Sequence, residues 1–360
     1  MFHFITYTST HPNMIQTKIK LFAGCLLIFI FTIAQKHQSS PTIDDSSITK
    51  LVRKSVADTD TPRITNNDVI YRSRSTFVVP EYKLIFFAFP KVACTEWKRM
   101  FMRMNNNPKW CKLEGHDIHK RSMNQIQILR DFAPDVATEM MISDEWTKAA
   151  IFREPKERVL SAFLDKAIKK QFVYIETCCN NLPSHDLRDE CITNADKFDS
   201  FLRFVTEYPE ECFNVHWEPQ VEKIDSKWWP YIDHIGYQHN LLEDSKEILS
   251  MITSVNDDAE TETETETETE TSISAWDKFG GSGWGAPDEN ETNCENRMQS
   301  NAEADSHSFL EQNTSYHNFD AGSKMKEWYS AELEKLVEEK WAVEWSKEDV
   351  SYPEVKLFGD

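Results

Sequence analysis

The stretch that most limits what this chain can fold into is Lys83-Leu-Ile-Phe-Phe-Ala-Phe89 with the segment behind it. An almost unbroken apolar run of strand length predicts a central strand of an α/β sheet, buried on both faces. Pro90-Lys91-Val92-Ala93-Cys94-Thr95 then reads as a tight basic loop, and Glu96-Trp-Lys-Arg-Met-Phe-Met-Arg103 as the start of an amphipathic helix. Thr95 is the expected helix cap, with Lys98 and Arg99 one turn further on. A strand–loop–helix unit of this kind aims free backbone N–H groups and a helix dipole at one point, where a phosphate binds. Lys91 adds a mobile positive charge for an oxygen that becomes more negative during a reaction.

The same architecture recurs downstream. Thr147-Lys-Ala-Ala-Ile-Phe152 predicts a strand, and Arg153-Glu-Pro-Lys-Glu-Arg158-Val-Leu-Ser161-Ala-Phe163 predicts a turn and a helix. Pro155 suits the first helical turn, and Val159, Leu160 and Phe163 form a stripe facing the core. Arg153 falls at the carboxyl end of its strand, where α/β sheets place ligands, and its planar fork suits a phosphate. Ser161 reaches the same anion only if the helix leans over the site.

The first loop lacks both glycines and the Gly-Lys-Ser/Thr ending of a Walker A sequence, which argues against an ATP-dependent kinase. Pro90-Lys-Val-Ala-Cys-Thr-Glu-Trp-Lys-Arg99 instead resembles the 5′-phosphosulfate loop of the Golgi carbohydrate sulfotransferases, the family of the chondroitin and dermatan enzymes. Arg-Glu-Pro-x-Glu-Arg-x-x-Ser-Ala-Phe resembles that family's 3′-phosphate motif. The order and the spacing of about sixty residues between the motifs agree with the family as well.

The resemblance implies an α/β fold like that of P-loop nucleotide kinases, with a central parallel sheet flanked by helices. It implies transfer of a sulfuryl group from 3′-phosphoadenosine 5′-phosphosulfate to a glycan hydroxyl, with no metal. Pro90, Lys91, Val92, Ala93, Cys94 and Thr95 would bind the 5′-phosphosulfate, and Arg153 and Ser161 the 3′-phosphate. His216-Trp-Glu-Pro-Gln220, Tyr231-Ile-Asp-His-Ile-Gly-Tyr237 and Leu241-Leu-Glu-Asp244 also resemble family segments. So does the closing helix, whose Met325, Trp328, Tyr329, Leu333, Leu336, Val337 and Trp341 recur every three or four residues, with Leu357-Phe-Gly359 at its end. One departure stands out. The family carries a close cysteine pair before the Tyr231–Tyr237 strand, whereas this chain has Glu222-Lys-Ile-Asp-Ser-Lys-Trp228.

Transfer to a hydroxyl needs a base. His216 is the first candidate, from its place in the family-like turn. His116, His119 and His317 compete with it, as does the Glu96 carboxylate, and a histidine beside Trp217 is often simply packed. The alternative to an enzyme is a non-catalytic, membrane-anchored glycan-binding protein that has kept the fold.

The 360 residues supply ample material for a core. The formal charge of −20 argues against nucleic acid as a partner, yet it is unevenly spread. Residues 256–311 hold 16 acidic side chains against Lys278 and Arg297, while residues 83–121 hold nine basic side chains against three acidic ones. The Glu260-Thr repeat and the Gly-rich patch at Gly280–Gly285 lie in a stretch, 256–306, that reads as a disordered insertion.

Leu21–Ala34 is a continuous apolar run behind Lys18 and Lys20. Fourteen residues are short for a bilayer span, which needs about 17–25, and a cleaved signal peptide is the rival reading. The upstream lysines and the resemblance favour an anchor. The expected organisation is a cytosolic tail at 1–20, an anchor at 21–36, a flexible stem at 37–75 and a lumenal domain at 76–360. This describes a single-pass type II protein of the Golgi membrane, and Asn290 and Asn313 then head usable glycosylation sequons. Cys111, Cys178, Cys179, Cys191, Cys212 and Cys294 are available for disulfides whose pairing the sequence leaves open. A zinc cluster of Cys178, Cys179, His185 and Cys191 matches no standard spacing.

Overall fold

The computed structural model describes residues 61–254 apart from 114, then 273–282, 284, 294, 310 and 321–341. The tail, the apolar run, most of the stem, both sequons, His317 and the closing Leu-Phe-Gly lie outside the described residues. Among the described residues no helix is long and apolar enough to cross a membrane.

Five strands form one sheet: β1 (Thr76–Val79), β2 (Leu84–Phe87), β3 (Gln127–Ile128), β4 (Thr147–Phe152) and β5 (His234–Tyr237), in the order β3-β1-β2-β4-β5. The expected parallel sheet is in fact mixed. β2 pairs in parallel with β4, and β4 with β5, but β1 is antiparallel to β2 and β3. The cause is the length of the first connection. Only Pro80–Lys83 separates β1 from β2, with Lys83 at a φ of 43°, and a link that short reverses the chain. β2 is the middle strand and is buried on both faces, as its apolar run predicts.

Nine helices of seven residues or more are described: α1 (Cys94–Met104), α2 (Pro134–Ile142), α3 (Pro155–Phe163), α4 (Gln171–Thr177), α5 (His185–Thr193), α6 (Phe198–Glu207), α7 (Leu241–Ser250), α8 (Ala321–Trp328) and α9 (Ala331–Lys340). Trp97, Met100, Phe101 and Met104 form the buried stripe of α1. That stripe covers the sheet, with Trp97 and Phe101 4.2 and 5.4 Å from Phe86, centroid to centroid. A second core gathers α3, α4, α6, α8 and α9, where Phe163 meets Phe198, Phe201 and Trp328 at 5.1–5.4 Å.

Several boundaries differ from expectation. Residues 123–141 do not form one helix, because Gln125 turns left-handed at a φ of 57° and Pro134 begins α2 afresh. The single closing helix is two, because the Ser330 hydroxyl accepts from Leu333 N–H and caps α9. The folded unit begins at Pro62 rather than Thr76. Its polar entry segment is held by distant side chains. Asp225 accepts from Val69 and Ile70 N–H at 3.0 and 3.1 Å, and Asp68 pairs with Lys227 and accepts from Trp228 Nε1. Asp225, Lys227 and Trp228 stand where the family resemblance had implied cysteines.

Part of the acidic insertion is also ordered. Arg103, at the end of α1 and almost fully buried, donates to the carbonyls of Phe279 and Ser282 at 2.8 and 2.7 Å. Its guanidinium also lies over Trp110 and Trp284, and Cys294 is bonded to Cys111. Arg103→Ala takes a donor from both carbonyls, leaving Phe279 only its bond from Trp284 Nε1, and removes the cation from its aromatic cage. We expect a loss of about 3–5 kcal/mol in reversible urea unfolding. A loss under about 1 kcal/mol means that the cage contributes no more than a surface contact.

Candidate active site

Because β2 and β4 are adjacent and parallel, the loops that follow them leave from the same edge of the sheet. That places the loop at 90–95 and the Arg153 turn side by side. The loop is held in an uncommon conformation, with Lys91 at a φ of 71° and Ala93 at 48°. Each left-handed residue costs on the order of 1–2 kcal/mol, so the surroundings must impose the shape. Left-handed residues on either side of Val92 turn neighbouring N–H groups to a common side, a concavity suited to an anion. Ala93 rather than Thr95 is the N-cap of α1, and no side chain caps it. The uncapped first turn opens into the loop.

Three side chains impose this conformation. Arg153 Nη1 donates to the Lys91 carbonyl at 3.1 Å. The fully buried Arg158 donates from Nε to the Pro90 carbonyl at 3.1 Å, and from its other nitrogens to the carbonyls of Val215 and Glu218. Gln220 accepts from Arg153 N–H at 3.0 Å and returns a bond to the Arg153 carbonyl at 2.8 Å. Through Arg158, α3 is tied to the loop, and Ser161 on the same helix is buried. The Glu154 carboxylate caps α3 by accepting from Glu157 N–H, ahead of Pro155 at the first helical position.

Past Phe163 the helix widens into a π-helical turn, Leu164–Lys169, in which Lys170 N–H reaches back to the Asp165 carbonyl. Such widened turns often stand at functional sites. This one carries Asp165, whose carboxylate is 3.2 Å from Lys91 Nζ, 3.1 Å from Lys166 Nζ and 3.5 Å from Lys170 Nζ. Burial strips the Lys91 ammonium of water and pushes its pKa down to about 8, with Asp165 opposing the fall and Lys166 adding to it. Burial pushes the Asp165 carboxyl up, but Lys91, Lys166 and Lys170 outweigh it and hold the group well below the usual carboxylate range.

His216 belongs to the same neighbourhood. Its pKa is pushed down to about 2, by burial first and then by the charges of Lys166 and Lys91, so the ring is neutral. Asn214 Oδ1 accepts from His216 N–H at 3.1 Å and stands 2.6 Å from Nδ1. A carbonyl oxygen only accepts, so Nδ1 carries the proton and Nε2 keeps its lone pair. Two of the competing groups are engaged elsewhere. Glu96 pairs with Arg99, and His119 Nδ1 lies 2.7 Å from Lys98 Nζ. The cysteines weighed as zinc ligands are in disulfides, Cys178 with Cys212 and Cys179 with Cys191.

The geometry is that of a buried cluster of cations around a left-handed loop, with a neutral imidazole beside it. The family model described as "Sulfotransferase family" matches residues 74–278. The chain belongs to the sulfotransferase family. It is similar to carbohydrate sulfotransferase 11 of Mus musculus, 26% identical over 204 residues, which are 52% of this chain and 54% of that protein. Human carbohydrate sulfotransferase 9 is 23% identical over 190 residues, covering 49% of this chain and 40% of its own length. Carbohydrate sulfotransferase 10 of Danio rerio is 31% identical over 100 residues, covering 26% and 25%. The chain thus spans about half the length of the mouse relative and less of the other two. No solved structure matches the chain.

In this member of the sulfotransferase family, the two motifs meet as their spacing predicts. What sequence reading missed are the residues that hold them, Arg158, Gln220, Asn214 and Asp165. Arg158 lay inside the second motif, but its carbonyl partners Pro90, Val215 and Glu218 are nearly sixty residues or more away along the chain. Asp165 is followed by Lys166, Lys169 and Lys170, a pattern that by itself does not tell a buried carboxylate from an exposed one.

Proposed function

We propose that this chain transfers a sulfuryl group from 3′-phosphoadenosine 5′-phosphosulfate to a glycan hydroxyl. One observation carries the reading. Lys91 and Arg153, at the ends of two adjacent parallel strands, are joined by a hydrogen bond from the Arg153 guanidinium to the Lys91 carbonyl. In this reading the loop at 90–95 receives the 5′-phosphosulfate, and Arg153 with Ser161 receives the 3′-phosphate. The acceptor oxygen forms its bond to sulfur as the bond from sulfur to the phosphate bridge oxygen breaks. The hydroxyl proton passes to His216 Nε2, and Lys91 balances the charge that grows on the bridge oxygen. The bound donor's negative charge offsets the lysines and raises the basicity of His216. A loop held in a strained conformation by buried partners disfavours a merely glycan-binding role. Three disulfides among the described residues suit an oxidising compartment, and we place the domain in the Golgi lumen behind an N-terminal anchor.

Calorimetric titration with 3′,5′-adenosine bisphosphate, the donor's product, tests the donor site. Arg153→Ala is expected to weaken binding tenfold or more, since a charge-assisted contact is worth about 1.5–3 kcal/mol. Equal affinity in the variant removes Arg153 from the site, and no binding by the folded wild-type chain removes the reading.

A further inference from the structure

Asp165 stands out because a carboxylate is out of place in a site built for anions. Its side chain is only 6% exposed, Lys91 reaches it from the loop after β2, and Lys166 and Lys170 reach it from its own turn. We propose that Asp165 is a positioning residue, whose carboxylate gathers the three ammonium groups and keeps Lys91 in the charged form that acts on the donor. The inference rests on the sulfotransferase reading for its role in catalysis, but not for its effect on Lys91.

The argument is one of charge and burial. An ammonium stripped of water loses its proton readily unless an anion stands beside it. Around Lys91 the loop contributes Cys94, the π-helical turn contributes Asp165, Lys166 and Lys170, and α3 contributes Arg158. The turn before β5 contributes His216, and Arg153 holds the Lys91 carbonyl. The Asp165 carboxylate pairs with Lys91 at 3.2 Å. The widened helical turn is what puts it there, and the Asp165 carbonyl accepts the bond that defines that turn. A donor brings its own negative charge later. Before it arrives, Asp165 keeps Lys91 charged and the three cations together.

The test is to titrate Lys91 in the full chain, by competitive acetylation with acetic anhydride across pH and mass spectrometry of the peptide that bears it. The wild-type midpoint is expected at about 8. Asp165→Asn is expected to lower it by roughly one pH unit or more, and to move the alkaline limb of kcat/KM for sulfuryl transfer with it. An unchanged midpoint overturns the proposal. So does a rise, which reports a site that has merely opened to water. Should Asp165→Asn fail to fold, Asp165→Glu decides, with a midpoint at or above that of wild type supporting the proposal and a lower one overturning it. A Lys91 that responds to Asp165 in a chain without donor binding keeps this inference and discards the sulfotransferase reading. Donor binding with an unresponsive Lys91 does the reverse.

Discussion

Replacing His216 with Ala is expected to slow sulfuryl transfer about a hundredfold to ten-thousandfold, the range over which a positioned base acts. Affinity for 3′,5′-adenosine bisphosphate should stay near that of wild type, because the proposed role of the ring is to take the acceptor's proton, not to hold the nucleotide. The expectation rests on the tautomer. With Nδ1 donating to Asn214, Nε2 is the nitrogen that takes a proton, and the ring is neutral from about pH 2 upward. No acid limb from His216 is therefore expected in the working range of the donor-free enzyme. Asn214→Ala should reproduce part of the defect by releasing the ring. Single-turnover rates measured with a glycan acceptor decide the matter, and an unchanged rate in His216→Ala assigns the base elsewhere.

Lys91→Ala is expected to lower kcat by roughly a hundredfold to a thousandfold, with a smaller loss in affinity for the donor product. An interaction that strengthens as the bridge oxygen gains charge appears in kcat; one that only holds the donor appears in KM. The pH dependence has a definite sign. Lys91 is charged below about 8 and neutral above it, so kcat/KM should hold level toward neutral pH and fall on the alkaline side. Lys91→Ala should lose that limb along with the rate. A variant that keeps wild-type turnover, or keeps the alkaline limb, refutes the assignment.

The parts of this site that were legible in the sequence are the parts set by local chemistry. The apolar run 83–89 could only be a buried strand, and Pro155 with the Val159, Leu160 and Phe163 stripe could only begin a helix with one buried face. β4 lies at Thr147–Phe152 as the sequence predicts. What was misread depends on partners far away along the chain. The entry segment looked like polar stem because its hydrogen bonds go to Asp225, Lys227 and Trp228, more than 150 residues on. The segment at 273–284 looked structureless because its anchors are Arg103 and the cage around it.

By itself, then, the sequence determined the two strand–turn–helix units, their order and the cationic character of the Lys91 and Arg153 loops, because periodicity, proline and charge act over a few residues. Only the tertiary structure decided that the sheet is mixed and that Arg158 and Gln220 brace the loop. It also decided that Asp165 turns inward among three lysines and that Asn214 leaves a lone pair on His216. Those outcomes depend on which buried polar groups find each other when the chain closes, and burial at one place is paid for by partners supplied from another.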